Sequence, residues 1–140
     1  MTETGSRTGI LIIAHGALAQ EMLNALEFIT GPQPRARAIA LDHALEVDRA
    51  RAMVVEAIDA LMSPKGVLVL TDLFGGAPSN IALSTLDEKN IEIVAGVNLP
   101  ILIHAVSQDE SLSLRAKAEA LRDYGRNNIF RASDFFSGKK

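Results

Sequence analysis

The sequence predicts a doubly wound α/β fold, a parallel four-stranded sheet with helices on both faces. Three observations carry this expectation. Short apolar runs of strand length alternate with segments whose apolar residues recur at helical spacing. Two of those runs, residues 10–14 (ILIIA) and 67–71 (VLVLT), are near-continuous Ile, Leu and Val, as strands covered on both faces require. The chain of 140 residues is also the right size for one core of this kind.

Taken in order, residues 10–14 form the first strand. Leu18, Met22, Leu26 and Ile29 then fall at helical spacing, the helix starting at about Ala17 and Gly31 lying just beyond it as a left-handed C-cap. Gly31-Pro32-Gln33-Pro34 marks the connection to a second strand, 36–41 (ARAIAL). Val47, Val54, Ile58 and Leu61 pattern a second helix that ends before Pro64 and Gly66. Strand three, 67–71, is followed by a helix beginning near Pro78. Strand four, 91–95 (IEIVA), leads into a short helix at Pro100, and both prolines suit a first helical position. The last helix covers about 112–124 and stops at Gly125, after which residues 129–132 add a short edge strand. Residues 9–137 read as a single domain between tails 1–8 and 138–140.

Right-handed crossovers between parallel strands leave little choice of topology. The flavodoxin-like order 2-1-3-4 is expected, in which strands one and three are neighbours. The chain leaves them in opposite directions, and this opens a crevice at their carboxyl ends, where function is to be sought.

Composition narrows the chemistry. Apolar residues make up 48% and charged residues 22%, matching a globular protein rather than a disordered one. Without cysteine there is no disulfide scaffold, thiol nucleophile, thiolate zinc site or iron–sulfur cluster. The net charge of −3 and the lack of a basic run beyond Lys139-Lys140 argue against a nucleic-acid partner. The first apolar stretch is broken by His15, too soon for a signal peptide or membrane span, so cytoplasmic residence is expected.

At the two strand ends that flank the crevice stand Ala14-His15-Gly16 and Thr71-Asp72-Leu73-Phe74-Gly75-Gly76-Ala77-Pro78-Ser79-Asn80. Adjacent parallel strands lie about 5 Å apart, so an imidazole and a carboxylate following them can meet. A hydrogen bond from one ring nitrogen of His15 to Asp72 fixes the tautomer and leaves the other nitrogen with a free lone pair, a nucleophile. Gly16, Gly75 and Gly76 permit close backbone approach and offer N–H groups to a phosphate.

The segments AHGALAQEMLNALEFITG, VLVLTDLFGGAPSN and VAGVNLP, in this order and spacing, resemble the mannose-type EIIA domain of the bacterial phosphoenolpyruvate-dependent sugar phosphotransferase system over about residues 9–106. The resemblance implies a phosphocarrier that takes a phosphoryl group from phospho-HPr onto a histidine and passes it to a histidine of an EIIB partner. By position, His15 is the acceptor through Nε2, Asp72 orients the Nδ1 side, and Gly75 and Gly76 belong to the phosphate-facing loop. It also implies a homodimer with the C-terminal strand exchanged, and contact with the membrane permease only through EIIB. Since the chain ends at Lys140, EIIB is expected on a separate chain. No cofactor or metal is expected, because the phosphoramidate donor is already activated, and neither G-x-x-x-x-G-K-[ST] nor G-x-G-x-x-G occurs.

One position departs from the family pattern: Ala77 stands where many members carry Ser or Thr after the Gly-Gly pair, and Ser79, Asn80 or a backbone N–H are the candidate replacements. Two readings stand beside sugar uptake, a regulatory phospho-switch with the same chemistry and the phosphotransfer subunit of a dihydroxyacetone kinase. A histidine phosphatase needs Arg where Ala14 stands, and a response-regulator receiver needs an acidic pair where His15-Gly16 stands. Elsewhere His43 reads as a solvated loop residue, His104 as a packed helix residue, and Asp87-Glu88-Lys89 as a solvated face. Phe74 is read equally as core or as a partner contact beside the site, and Asn98 and Pro100 as a third wall of the crevice.

Overall fold

The structure, a computed structural model, describes residues 7–42, 44–85 and 90–136. His43, Asp87-Glu88-Lys89 and most of the two tails lie outside the described residues. The elements are β1 (Gly9–His15), α1 (Leu18–Thr30), β2 (Ala36–Leu41), α2 (Val47–Leu61), β3 (Val67–Thr71), α3 (Ala77–Leu83), β4 (Ile91–Ala95), α4 (Leu99–Ser107) and α5 (Leu114–Asn127). The four strands pair in parallel in the order β2-β1-β3-β4, as the sequence predicts.

Side chains on a strand alternate between faces, and here both faces are apolar. Ile10, Ile12 and Ala14 of β1 join Leu68 and Leu70 of β3 in one core beneath α1, α4 and α5. Leu11 and Ile13 join Val67 and Val69 in a second core beneath α2 and α3. The continuous Ile/Leu/Val runs are thus two interleaved alternating patterns, one for each layer of helices. Fully burying each such side chain stabilises the fold by about 1.5–3 kcal/mol.

Three helix assignments differ from the sequence reading. In α1 the buried residues are Ala19, Leu23 and Leu26, whereas Leu18 and Ile29 are 43% and 55% exposed. The inward stripe shares Leu26 with the predicted one, and Met22 packs at its margin, but it is rotated away from Leu18 and Ile29, because tertiary contact rather than side-chain size selects the face. In α2, Val54, Ile58 and Leu61 are buried as expected, but Val47 is exposed and Ala50 makes the first core contact. The last helix does not stop at Gly125 but runs through it to Asn127, with Ser113 as N-cap accepting from the N–H of Ala116 at 3.1 Å. A Cβ on Gly125 would come within 2.5 Å of Ile101 Cδ1, so this glycine lets α5 lie close against α4 instead of ending a helix.

Residues 129–132 pair with no strand among the described residues. Ala132–Phe135 forms a 3₁₀ turn, and Phe130 packs edge-on against Phe135 with ring centres 5.3 Å apart. The outer edge of β4 is therefore left unpaired among the described residues. His104 is half-buried and stacks on Tyr124 at 4.2 Å, which joins α4 to α5.

At the end of the sheet opposite His15, the ammonium of Lys117, 1% exposed, bonds Thr8 Oγ1 and Glu110 Oε1, each at 2.5 Å. This ties the start of β1 to α5 and to the segment between α4 and α5. Burial pushes the Glu110 carboxyl upward, but hydrogen bonds from Lys117 and from the side chain and backbone of Thr8 outweigh it and hold it below its ordinary value. A depressed carboxyl contributes stability that is present above its unfolded value, about 4.3, and is lost as pH falls through the folded value. Glu110→Gln is expected to destabilise the protein by about 3 kcal/mol at pH 7, since it leaves the Lys117 charge buried and unpaired. It should also flatten the loss of urea midpoint below about pH 4.3. Equal midpoints and equal acid profiles for the two proteins would contradict this role.

Candidate functional site

The chain leaves β1 towards β2 and β3 towards β4, so the sheet's switch point lies between the carboxyl ends of β1 and β3. The register aligns Ile13 with Thr71. His15, the last residue of β1, and Asp72, the first residue beyond β3, therefore reach the same end of the sheet side by side.

Asp72 Oδ2 lies 2.8 Å from His15 Nδ1 and 3.0 Å from the backbone nitrogen of His15, whose N–H donates to it. The other oxygen, Oδ1, accepts the N–H of Leu73 at 3.0 Å. Burial pushes the Asp72 carboxyl up, but the hydrogen bonds from the His15 side chain, the His15 backbone and Leu73 outweigh it and bring it below its usual value. Asp72 is then ionised near neutral pH and can only accept, so Nδ1 must carry the proton of that contact. In the neutral ring Nε2 keeps its lone pair, and it makes no hydrogen bond among the described residues. The His15 side chain is 52% exposed whereas that of Asp72 is 10% exposed. The arrangement is a nucleophilic nitrogen held at the surface by a carboxylate anchored beneath it.

The three glycines do different work. The N–H of Gly16 donates to Leu41 O at 2.9 Å, continuing the β1–β2 ladder one residue past the strand. The N–H of Gly75 donates to Ser79 Oγ at 3.2 Å. Both amides are thus engaged within the protein. Gly76 is the one that meets the imidazole: a Cβ there would stand 3.0 Å from His15 Cε1 and 3.4 Å from Nε2. Any larger residue at this position would press on the ring and require it to give by a few tenths of an ångström.

Ala77 opens α3 and is exposed, with no hydroxyl to offer. Phe74 and Leu73 beside it are 76% and 52% exposed, which resolves Phe74 as a surface residue. Asn98 caps α4 through Oδ1, which accepts the N–H of Ile101 at 2.9 Å. The role of Ser79 was legible only as a hydroxyl near the glycine pair; its burial and its bond to Gly75 depend on the helical turn that brings residue 79 back over residue 75.

Among the described residues, no helix is long and apolar enough to cross a membrane. The family model described as the PTS system fructose IIA component, EIIA-man, matches residues 9–122. A protein of Escherichia coli K12 named as the phosphotransferase enzyme IIA component YadI is 30% identical over 123 residues, covering 86% of this chain and 84% of that one. The PTS system mannose-specific EIIAB component of the same strain is 28% identical over 122 residues, and this chain spans only 38% of its length. A solved structure, the PTS IIA protein associated with the fucose utilization operon of Streptococcus pneumoniae, superposes with a TM-score of 0.82 at 30% identity, covering 92% of this chain and 96% of that one. The matched region takes in both strand ends that carry His15 and Asp72, and the chain belongs to the EIIA-man family, the mannose/fructose-type IIA components of the phosphotransferase system.

Proposed function

We propose that the protein is a phosphohistidine carrier, in which Nε2 of His15 accepts a phosphoryl group from phospho-HPr and passes it to a histidine of an EIIB protein in sugar uptake. The observation that carries this reading is the 2.8 Å contact between Asp72 and Nδ1, which leaves Nε2 as the exposed nucleophile. Family membership supplies the donor and acceptor classes.

In the forward step the Nε2 lone pair forms a bond to phosphorus while the phosphorus–nitrogen bond of the donor breaks, its electron pair returning to the donor imidazole. As Nε2 gives up its lone pair the ring becomes cationic, and the Asp72 carboxylate on Nδ1 balances that charge. Transfer to EIIB reverses the same changes. A loose phosphoryl transition state asks little of the protein beyond alignment and charge balance. Gly76 supplies the room, since its missing side chain leaves space for a phosphoryl group beside Nε2. On this reading residues 9–137 act as one cytoplasmic domain that meets the membrane permease only through EIIB.

Incubation with phosphoenolpyruvate, enzyme I and HPr is expected to give an acid-labile, base-stable phosphoryl adduct. His15→Ala should abolish it, and Asp72→Asn should slow transfer by about 10²-fold or more, because an amide cannot balance an imidazolium. Labelling of the His15→Ala protein, or a wild-type rate in Asp72→Asn, would overturn the reading.

The same reading includes a homodimer. Among the described residues the outer edge of β4 pairs with no strand, and Ile129, Phe130, Phe135 and Phe136 are between 61% and 76% exposed beyond α5. A concavity of about 540 Å³ lies along that edge, between β4 and Arg115, Ala118 and Arg122 of α5. Exchange of the C-terminal segment between two copies would cover both the edge and the aromatic residues. Truncation after Asn128 is expected to give a less stable monomer that still accepts phosphoryl groups. Sedimentation of the full chain as a monomer at micromolar concentration would rule the exchange out.

A further inference from the structure

We propose that Ser79 is a positioning residue that holds the Gly75–Gly76 turn against His15 and thereby sets the rate at which Nε2 exchanges its phosphoryl group. The inference rests on the carrier reading above and assigns the turn's geometry to a residue outside the Gly-Gly pair and the position after it.

The turn has little to hold it in shape. Gly75 adopts φ +99°, a region that L side chains rarely enter, and glycine is also the residue with most freedom to leave it. Leu73, Phe74 and Gly75 are all exposed, so no apolar burial fixes the turn from outside. Two hydrogen bonds join it to α3. One is the backbone bond from the N–H of Asn80 to Gly76 O at 2.9 Å, which belongs to the helix itself. The other runs from the N–H of Gly75 to Ser79 Oγ at 3.2 Å and is the side-chain tie. Thr71, the other buried hydroxyl at this end of β3, turns its Oγ1 to Leu73 O at 3.4 Å and does not reach the glycines.

Ser79 is 1% exposed. Its hydroxyl is therefore sealed beneath the turn, where it accepts from Gly75 but does not face the solvent side on which a phosphoryl donor must approach. This separates it from the role that a hydroxyl at position 77 would play. By the family resemblance a Ser or Thr hydroxyl there would bond the phosphoryl oxygens, and Ala77 has no hydroxyl. Ser79 acts one step back. Gly76 follows Gly75 directly and stands so near the ring that an added Cβ would meet Cε1 at 3.0 Å. A shift of the turn by a few tenths of an ångström therefore changes the space beside Nε2. The bond to Ser79 keeps that space constant between transfers.

Because Gly75 is exposed, its N–H can turn to water when Oγ is removed, and Ser79→Ala should fold with an unchanged urea midpoint. The loss should fall on the turn. We expect faster hydrogen exchange at the Gly75 amide and a three- to tenfold lower kcat for phosphorylation by phospho-HPr, about the effect of one neutral hydrogen bond. KM for phospho-HPr should stay unchanged. Ser79→Thr keeps the oxygen and should restore both the exchange protection and kcat. Transfer at the wild-type rate in Ser79→Ala would overturn the proposal, and so would a slow Ser79→Thr protein whose Gly75 amide is protected. Potassium phosphoramidate, which needs no docking protein, separates the two readings. Failure of the wild type to take phosphoryl from phospho-HPr would sink the carrier function alone, and the ratio of phosphoramidate labelling rates at His15 in wild type and Ser79→Ala would still decide the role of Ser79.

Discussion

Asp72 spends one oxygen on two groups of the same residue, the backbone N–H and the Nδ1 of His15, and that double contact is the constraint on which the site depends. It requires β1 and β3 to be adjacent and parallel, with Ile13 level with Thr71, so that Asp72, one residue beyond that pair, reaches His15, two residues beyond it on the neighbouring strand. A register slip of one residue would turn the partner side chain to the other face of the sheet and remove the contact. The hydrogen bonds to Asp72 also keep it ionised, which gives the imidazole one defined tautomer. Strand register, carboxylate charge and imidazole tautomer are thus a single chain of cause.

The rest of the fold holds that register. Each residue of β1 from Gly9 to Ala14 is buried, alternately beneath α1, α4 and α5 or beneath α2 and α3. Because both faces are committed, the strand cannot slide without exposing apolar side chains to water or driving them into the wrong core. The Lys117–Glu110–Thr8 cluster anchors the other end of the same strand. His15 can stand exposed at the strand end because everything behind it on β1 is packed.

Much of this was legible in the sequence. The strands at 36–41, 67–71 and 91–95 have the bounds that their apolar runs suggest, and the order 2-1-3-4 expected from the alternation of strand and helix is the one observed. The proximity of His15 and Asp72 followed from that order, since it places their strand ends side by side. What the sequence hid were properties that arise only on packing. The inward face of α1 starts at Ala19 because the helix lies close to the sheet, and a small residue carries little signal in a hydrophobic pattern. Gly125 reads as a stop, yet its value lies in the approach of Ile101 from a different helix. The segment 129–132 has strand-like composition, but among the described residues it pairs with no strand, because pairing depends on an available edge and not on composition alone. The backbone N–H of His15 donating to Asp72, and Ser79 buried under Gly75, likewise need the third dimension.

The central claim is that Asp72 commits Nδ1 to a hydrogen bond and leaves Nε2 to carry the phosphoryl group. The most direct measurement is ¹⁵N and ³¹P NMR of the phosphorylated protein with its histidines labelled. The account predicts a one-bond nitrogen–phosphorus coupling at Nε2 of His15, with a proton retained on Nδ1 and shifted by its bond to Asp72. Coupling at Nδ1 would mean that the carboxylate contact breaks during transfer, and would contradict the account.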